Sequence, residues 1–354
     1  VSIDHVIRTS TAAPLPAARG PITDMLLRSL PEPAGSTPRF DTADVAGSDP
    51  FGDDLQLALY LCYELHYQGL AGVDDAWEWN LALLGLRAEL EARFVEELRC
   101  RVAGGADTES ALDALLVEPA DAYGVSHHLR DSGQWRQVQE LFVHRSAYHL
   151  KEADPHAWVI PRLRGRAKAA VVAVEYDEFG GGRAERMHST LFANLMAESG
   201  LDTRYLAYLD AIPGTTLATV NVMSLFGLHR RHRGALVGHF AATEITTGPN
   251  AQRMETALRR MGAGPDVVLF YTEHIEADAV HEQVLREDVI GAVLEENPAL
   301  AADVVFGIQA SEYVEGRAAQ RLLEAWRDGL SSLRPNDFYP VESPLVLDRG
   351  SFLR

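Results

Sequence analysis

The chain is poor in cysteine and in net positive charge, and it has no long apolar run. Each shortage removes a class of function. Two cysteines, Cys62 and Cys100, in 354 residues give neither a paired-cysteine zinc pattern nor a disulfide framework. Both sit in apolar-periodic segments and read as structural thiols. No stretch approaches the roughly 18 apolar residues that a spanning helix needs. The opening residues, Val1 to Gly20, lack the continuous apolar segment of a secretory signal. A soluble cytoplasmic protein is expected. Basic residues number 32 against 51 acidic ones, a formal charge of -19. Such a surface repels nucleic acid and anionic lipid, so neither is an expected partner. Part of the acidic excess fits a second reading, because carboxylates that bind cations are counted in it.

Alternating β-branched runs are also scarce, and βαβ alternation is absent. The glycine run at Gly180 has no strand before it and no lysine after it, so it is not a phosphate loop. What the chain does have is Ala, Leu, Glu and Arg at helical spacing, with a hydrophobic fraction of 47%. An all-α fold follows. Residues 1–50, rich in Pro, Ser, Thr and Gly, are expected as an irregular arm with a short helix around Ile22–Leu30. Residues 51–332 are expected as a single helical domain, and 333–354, with Pro335, Pro340 and Pro344, as an irregular tail. Predicted helices include Asp74–Val102, Gln134–Glu152, Arg162–Glu178, Ala184–Ser199 and Asp202–Leu209. Gly234–Thr247 is predicted to end at Gly248–Pro249, with Ala251–Met261 separate from it.

Four segments carry candidate chemistry. In Tyr271–His281, the residues His274, Asp278 and His281 fall at i, i+4 and i+7, one face of a helix. Two imidazoles and a carboxylate on one face suit a divalent metal such as iron. Taken alone, the segment fits a solvated acidic face equally well. In the second, Glu178 ends a helix, glycines follow, and His188 opens the next helix. A glycine break there lets a carboxylate and an imidazole converge. The third is Glu244, a single acid in an apolar helix. Such an acid is costly to bury unless it is paired or metal-bound, and an arginine partner would serve as well. The fourth is Glu152, at a helix end before Pro155. Together, Glu152, Glu178, Glu244 and Asp278 supply about as much negative charge as two ferrous ions supply positive. Three neutral histidines complete a nitrogen and oxygen shell of the kind found in di-iron helical bundles.

Other polar residues are weaker candidates. Glu64 and His66 are two apart and do not share a helix face. His127 and His128 read as exposed, and His229 and His232 sit in a basic knot with Arg230, Arg231 and Arg233.

At the four segments the sequence resembles the haem-oxygenase-like di-iron oxidases and oxygenases, over about Tyr148 to Trp326. Carried by this are the run Lys151–His156, then Glu178 with the glycines and His188, and then His274, Asp278 and His281. The resemblance implies a haem-oxygenase-like helical bundle. It implies one iron held by Glu152, His188 and His281, and a second by Glu178, His274 and Asp278, with Glu178 bridging. Glu244 matches an extra carboxylate of the family's N-oxygenase branch. The expected activity is therefore O2-dependent N-oxygenation of an amine or guanidine group in a small metabolite, through a peroxo-di-iron intermediate. Desaturation or oxidative carbon–carbon cleavage of an amino or fatty acid at the same site is the alternative. Outside catalysis, the alternative is a metal-binding bundle. The implied partners are an external electron donor, a ferredoxin or flavin reductase, and a second copy in a homodimer. A haem oxygenase of this fold would need one proximal histidine and a flat apolar pocket. A thiaminase-like hydrolase would need a nucleophilic cysteine beside a base, and neither cysteine has that setting.

Overall fold

The computed structural model describes residues 12–35, 40–119 and 122–335, except the side chains of residues 276–280. The described residues form α-helices with no strand; one isolated bridge pairs Ala13 with Leu70. The first helices are α1 (Pro21–Ser29), α2 (Ala43–Gly47), α3 (Asp53–Glu64), α4 (Leu81–Arg101), α5 (Thr108–Leu116) and α6 (Val125–Asp131). Next come α7 (Trp135–His149), α8 (Asp154–Ala157), α9 (Gly165–Glu178), α10 (His188–Glu198) and α11 (Gly214–Leu228). The last are α12 (Arg233–Arg260), α13 (Pro265–Gln283), α14 (Ala292–Glu296) and α15 (Ala301–Arg327). A π-helical stretch, Val284–Gly291, joins α13 to α14. No helix among the described residues is long and apolar enough to cross a membrane.

Helix α12 is the central post. It packs along α13 and α15, with α6 against it. Two glycines permit the closest approach. A side chain on Gly238 would run into the Val304 backbone of α15, and one on Gly307 would run into Ala235 of α12. Phe142, Phe192, Phe226 and Phe306, all at or below 1% exposure, lie in the core between these helices. Burying such a side chain fully is worth roughly 1.5–3 kcal/mol.

Several boundaries differ from expectation for identifiable reasons. The predicted helix Asp74–Val102 is divided. Asn80 interrupts it, and its side chain accepts from the Ala82 and Leu83 amides to cap α4. The predicted break at Gly248–Pro249 does not occur, and α12 runs through Pro249. Proline removes the helical hydrogen bond to the Ile245 carbonyl, and polar side chains around it bond back onto the helix. Thr246 Oγ1 donates to Ala242, Thr247 Oγ1 to Thr243, and Asn250 Nδ2 to Thr246. The predicted helix Asp202–Leu209 is a series of turns. Leu206 has a φ of +57°, and the Asp202 amide donates to the Tyr208 hydroxyl.

Residues 12–35 and 40–50 hold more helix than their composition suggests, with α1 and α2 both among them. Ile22 and Leu26 of α1 are buried. Asp54 of α3 accepts from the Ile22 and Thr23 amides and from the Thr23 hydroxyl.

Candidate metal centre

The C-terminal end of α9 sets up the site. Gly180, Gly181 and Gly182 all have positive φ, at 70°, 63° and 78°. A Cβ on Gly180 would lie 2.6 Å from both Arg186 C and Met187 N, so only glycine lets the chain fold back so tightly. The reversal brings His188, the first residue of α10, against Glu178, the last of α9. His188 Nδ1 lies 2.8 Å from Glu178 Oε2, and both side chains are buried.

Glu152 enters from the turn after α7. Ala153 beside it has a φ of +75°, and the side chains of Lys151 and Glu152 go to different partners. Lys151 points to Glu64, with Nζ 2.8 Å from Oε2 and both residues buried. The Tyr205 hydroxyl donates to the same carboxylate. Lys151 also lies over the rings of Tyr60 and Tyr67, at 4.7 and 4.2 Å. With Lys151 satisfied there, Glu152 faces the histidines. Its Oε1 is 2.7 Å from His149 Nδ1 and 3.7 Å from His274 Nε2. Its Oε2 is buried with no hydrogen-bond partner.

Helix α13 supplies two imidazoles. His274 Nδ1 donates to the Phe270 carbonyl at 2.7 Å, which leaves Nε2 turned to Glu152 and His188. Fixing one ring nitrogen on a backbone carbonyl and presenting the other is how metal-ligating histidines are held. The rings of His188 and His274 are 4.4 Å apart. His281 Nδ1 lies 2.9 Å from Glu244 Oε2 of α12, and its Nε2 lies 3.3 Å from Asp177 Oδ2.

The result is two sets of ligand atoms, each within 4.8 Å of one another: Glu152, His188 and His274, and Glu178, Glu244 and His281. All six side chains are buried. Glu178 touches both sets, through Oε2 to His188 and through Oε1 to His281 at 4.0 Å. The expected partition is therefore altered, since His274 groups with Glu152 and His188, while His281 groups with Glu178. Seven residues along a helix rise about 10.5 Å, so two histidines on one face reach two different depths. The side chain of Asp278 lies outside the described residues.

The electrostatics match a cation site. Burial is the largest influence on His274 and works against its proton. The hydrogen bond and charge of Glu152, with Glu178 behind, outweigh it and push the imidazole up to about 10. Burial is likewise opposed at His281, where Glu244 leads and Asp177 and Glu178 add, pushing it up to about 9. Burial would raise Glu152, yet His149 and His274 hold it well below the usual carboxylate range. Burial raises Glu244, with Glu178 adding and His281 opposing. A buried Glu152 oxygen without a partner among the described residues, nitrogen and carboxylate donors in two compact groups, and buried imidazoles set against acids all fit divalent iron.

Three neighbours escaped sequence reasoning. His149 touches Glu152, and only its i, i+3 spacing hinted at that. Asp177 reaches His281 from the exposed side of α9. Glu175 lies one turn before Glu178 on the buried face of α9, 2% exposed. Burial, then Glu178, Glu244 and Asp154, push its carboxyl up to about 9. Glu64 pairs with Lys151 and belongs to neither ligand set. His66 pairs with Glu78, His127 with Glu118, His229 with Glu91 and His232 with Asp303, all apart from the cluster. An open cleft lined by Arg19, Asp44, Asp49, Asp53 and Asp54 shares no residue with it either.

The family model described as an iron-containing redox enzyme matches residues 139–316, a span that includes every candidate ligand. A relative, nitrosourea synthase of Streptomyces achromogenes subsp. streptozoticus, is 25% identical over 212 residues. That alignment covers 58% of this chain and 45% of the relative, so the chain matches under half of the relative's length.

Proposed function

The chain belongs to the iron-containing redox enzyme family, and on that premise we propose that this oxidoreductase holds two iron ions and uses dioxygen to oxygenate a nitrogen atom of a small metabolite. The ligands are Glu152, His188 and His274 for one ion, and Glu178, Glu244 and His281 for the other, with Glu178 shared. Asp278, one turn beyond His274 in sequence, completes the set. The observation that carries the reading is the convergence of six buried side chains from five separate places in the chain. A structural bundle gains nothing from burying so many titratable groups, because each is costly without a counter-charge.

Ferrous iron bound there supplies the electrons that activate dioxygen. The protein's part is to place and protect. Phe270, on which His274 is fixed, and Phe192 pack against each other at 5.2 Å between ring centroids. Phe192 and the His149 ring are 4.8 Å apart, so an apolar wall backs the first set and excludes water. His274 and His281 must each give up a proton to present a lone pair. Repeated turnover needs an external reductant, a ferredoxin or flavin reductase. Residues 51–332 act as the single di-iron domain, in a cytoplasmic homodimer.

Nitrogen as the reacting atom is supported by Glu244 beside His281, where the resemblance puts the extra carboxylate of the N-oxygenase branch. The name of the nitrosourea synthase relative points the same way. The substrate class is then an amine or guanidine. Supplying 18O2 to the ferrous protein with pooled amines and guanidines tests this. The reading requires a product carrying 18O on nitrogen. Products that are only desaturated or shortened on carbon would replace it with the carbon-directed chemistry.

A further inference from the structure

We propose that Glu175 docks a cationic nitrogen group of the substrate, an ammonium or guanidinium, beside the metal centre. This rests on the functional reading above and assigns a residue to substrate capture.

The buried face of α9 runs Val171, Val174, Glu175 and Glu178. Three of these have a role: two pack in the core, and Glu178 joins the two ligand sets. Glu175 has none. Both of its carboxylate oxygens are buried, and neither has a hydrogen-bond partner among the described residues. Its oxygens belong to neither ligand set. The charged groups that act on it are Glu178, Glu244 and Asp154, all acidic. Tyr148, across from α9 on α7, feels Glu152, Glu178, Glu244 and Glu175 together, which places Glu175 at the edge of the same negative region.

Among the described residues, the nearby cationic side chains are already engaged. Lys151 is held by Glu64. Arg145 makes a two-pronged contact with Glu315, at 2.9 and 2.7 Å. His149 and His274 face Glu152, His188 faces Glu178, and His281 faces Glu244. Two ferrous ions would balance the ligand carboxylates and leave Glu175 without a counter-charge, a buried acid that keeps its proton until a cation reaches it. A buried acid with no counter-ion among the described residues would take up its ionised, two-oxygen form against a guest that brings a positive charge and paired N–H donors. A guanidinium does so through its fork and an ammonium through two of its protons. Binding energy won there, away from the reacting atom, would hold the substrate nitrogen next to iron.

The test uses the ferrous-loaded protein without oxygen. The probes are n-butylguanidinium against n-butylurea, and L-arginine against L-citrulline, each pair matched in shape and differing in charge. Paramagnetic broadening of probe proton resonances reports binding close to iron. The charged member of each pair should bind roughly 10- to 100-fold more tightly, as expected of a charge-assisted contact. Glu175→Gln should abolish the preference while iron content stays unchanged, and Glu175→Asp should restore part of it. Equal behaviour of the charged and neutral probes in the wild-type protein overturns the proposal, and that comparison needs no variant. So does a preference that survives in E175Q. Loss of iron from E175Q and E175D also overturns it, by making Glu175 part of the metal site. Failure of the wild-type protein to load two irons sinks the functional reading instead. Full loading with oxygen consumption, but without a charge preference, sinks this inference alone.

Discussion

Glu244 in the middle of α12 and His281 near the end of α13 face each other with 2.9 Å between Oε2 and Nδ1. This contact explains why an apolar helix carries an acid at that depth. The account makes Glu244 a ligand of one iron. Glu244→Gln should lower iron content from two towards one per chain. In the metal-free protein it weakens a buried, charge-assisted pair and should cost about 1–3 kcal/mol of stability. Metal analysis and urea melts check both, and unchanged values in the two measurements would remove Glu244 from the centre.

The turn at Gly180 separates local strain from site geometry. Gly180→Ala combines a positive φ, worth about 1–2 kcal/mol for a residue with a side chain, with overlap onto the Arg186 and Met187 backbone. It should destabilise by about 3 kcal/mol or more and unseat His188, so iron loading falls as well. Gly181→Ala meets only the Tyr176 ring, at 3.7 Å. It should lose only about 1–2 kcal/mol and keep its iron. Similar behaviour of the two variants would contradict the proposed role of the turn.

Stability of the metal-free protein should fall in acid. Burial holds His144 down to about 3 and His239 down to about 4. Both therefore take up a proton more readily when unfolded. Their contribution is complete above the unfolded value near 6.5 and is lost as pH drops below it. For His144 alone, about 3 kcal/mol should be gone by pH 4, at 1.36 kcal/mol per unit. Glu152, held low, fails in the same direction. His274 has the opposite sign: its stabilisation is full below about 6.5 and disappears as pH rises towards about 10. A stability maximum between these limits is expected in denaturant melts across pH. A flat profile from pH 4 to 7 would contradict the buried, neutral state of His144 and His239.

Iron loading should release protons. His274 and His281 hold theirs up to about 10 and about 9 without metal, and ligation needs the free nitrogen. Iron affinity should therefore rise between pH 6 and 9. Anaerobic calorimetry in two buffers of different ionisation enthalpy should show release of at least one proton. Heats that do not depend on the buffer would argue against these histidines as ligands.

The helical class was legible in the sequence, because spacing along one helix is a local property, whereas Glu152 and Glu244 stood out mainly through the resemblance. His274 and His281 at i and i+7, and the glycines between Glu178 and His188, report geometry that each segment makes for itself. The division of the histidines between the two sets was not legible, because it depends on the depth at which α13 meets α9 and α12. Glu175 and His149 were missed for the same reason. Nothing in α9 alone shows that Glu175 lacks a partner, and His149 gains its meaning only when the turn at Ala153 swings Glu152 back. The continuity of α12 was not legible because a proline penalty is local, while the packing of α12 against α13, α15 and α6 exists only in the folded bundle.

The most direct test of two irons in one cluster is anaerobic reconstitution with 57Fe(II), followed by metal analysis and Mössbauer spectroscopy. The account predicts two irons per chain in the wild-type protein. In Glu178→Ala, which removes the carboxylate shared by both sets, it predicts that the spectrum collapses and the content falls to one or less. One iron or fewer in the wild-type protein, or two undisturbed irons in Glu178→Ala, would contradict it.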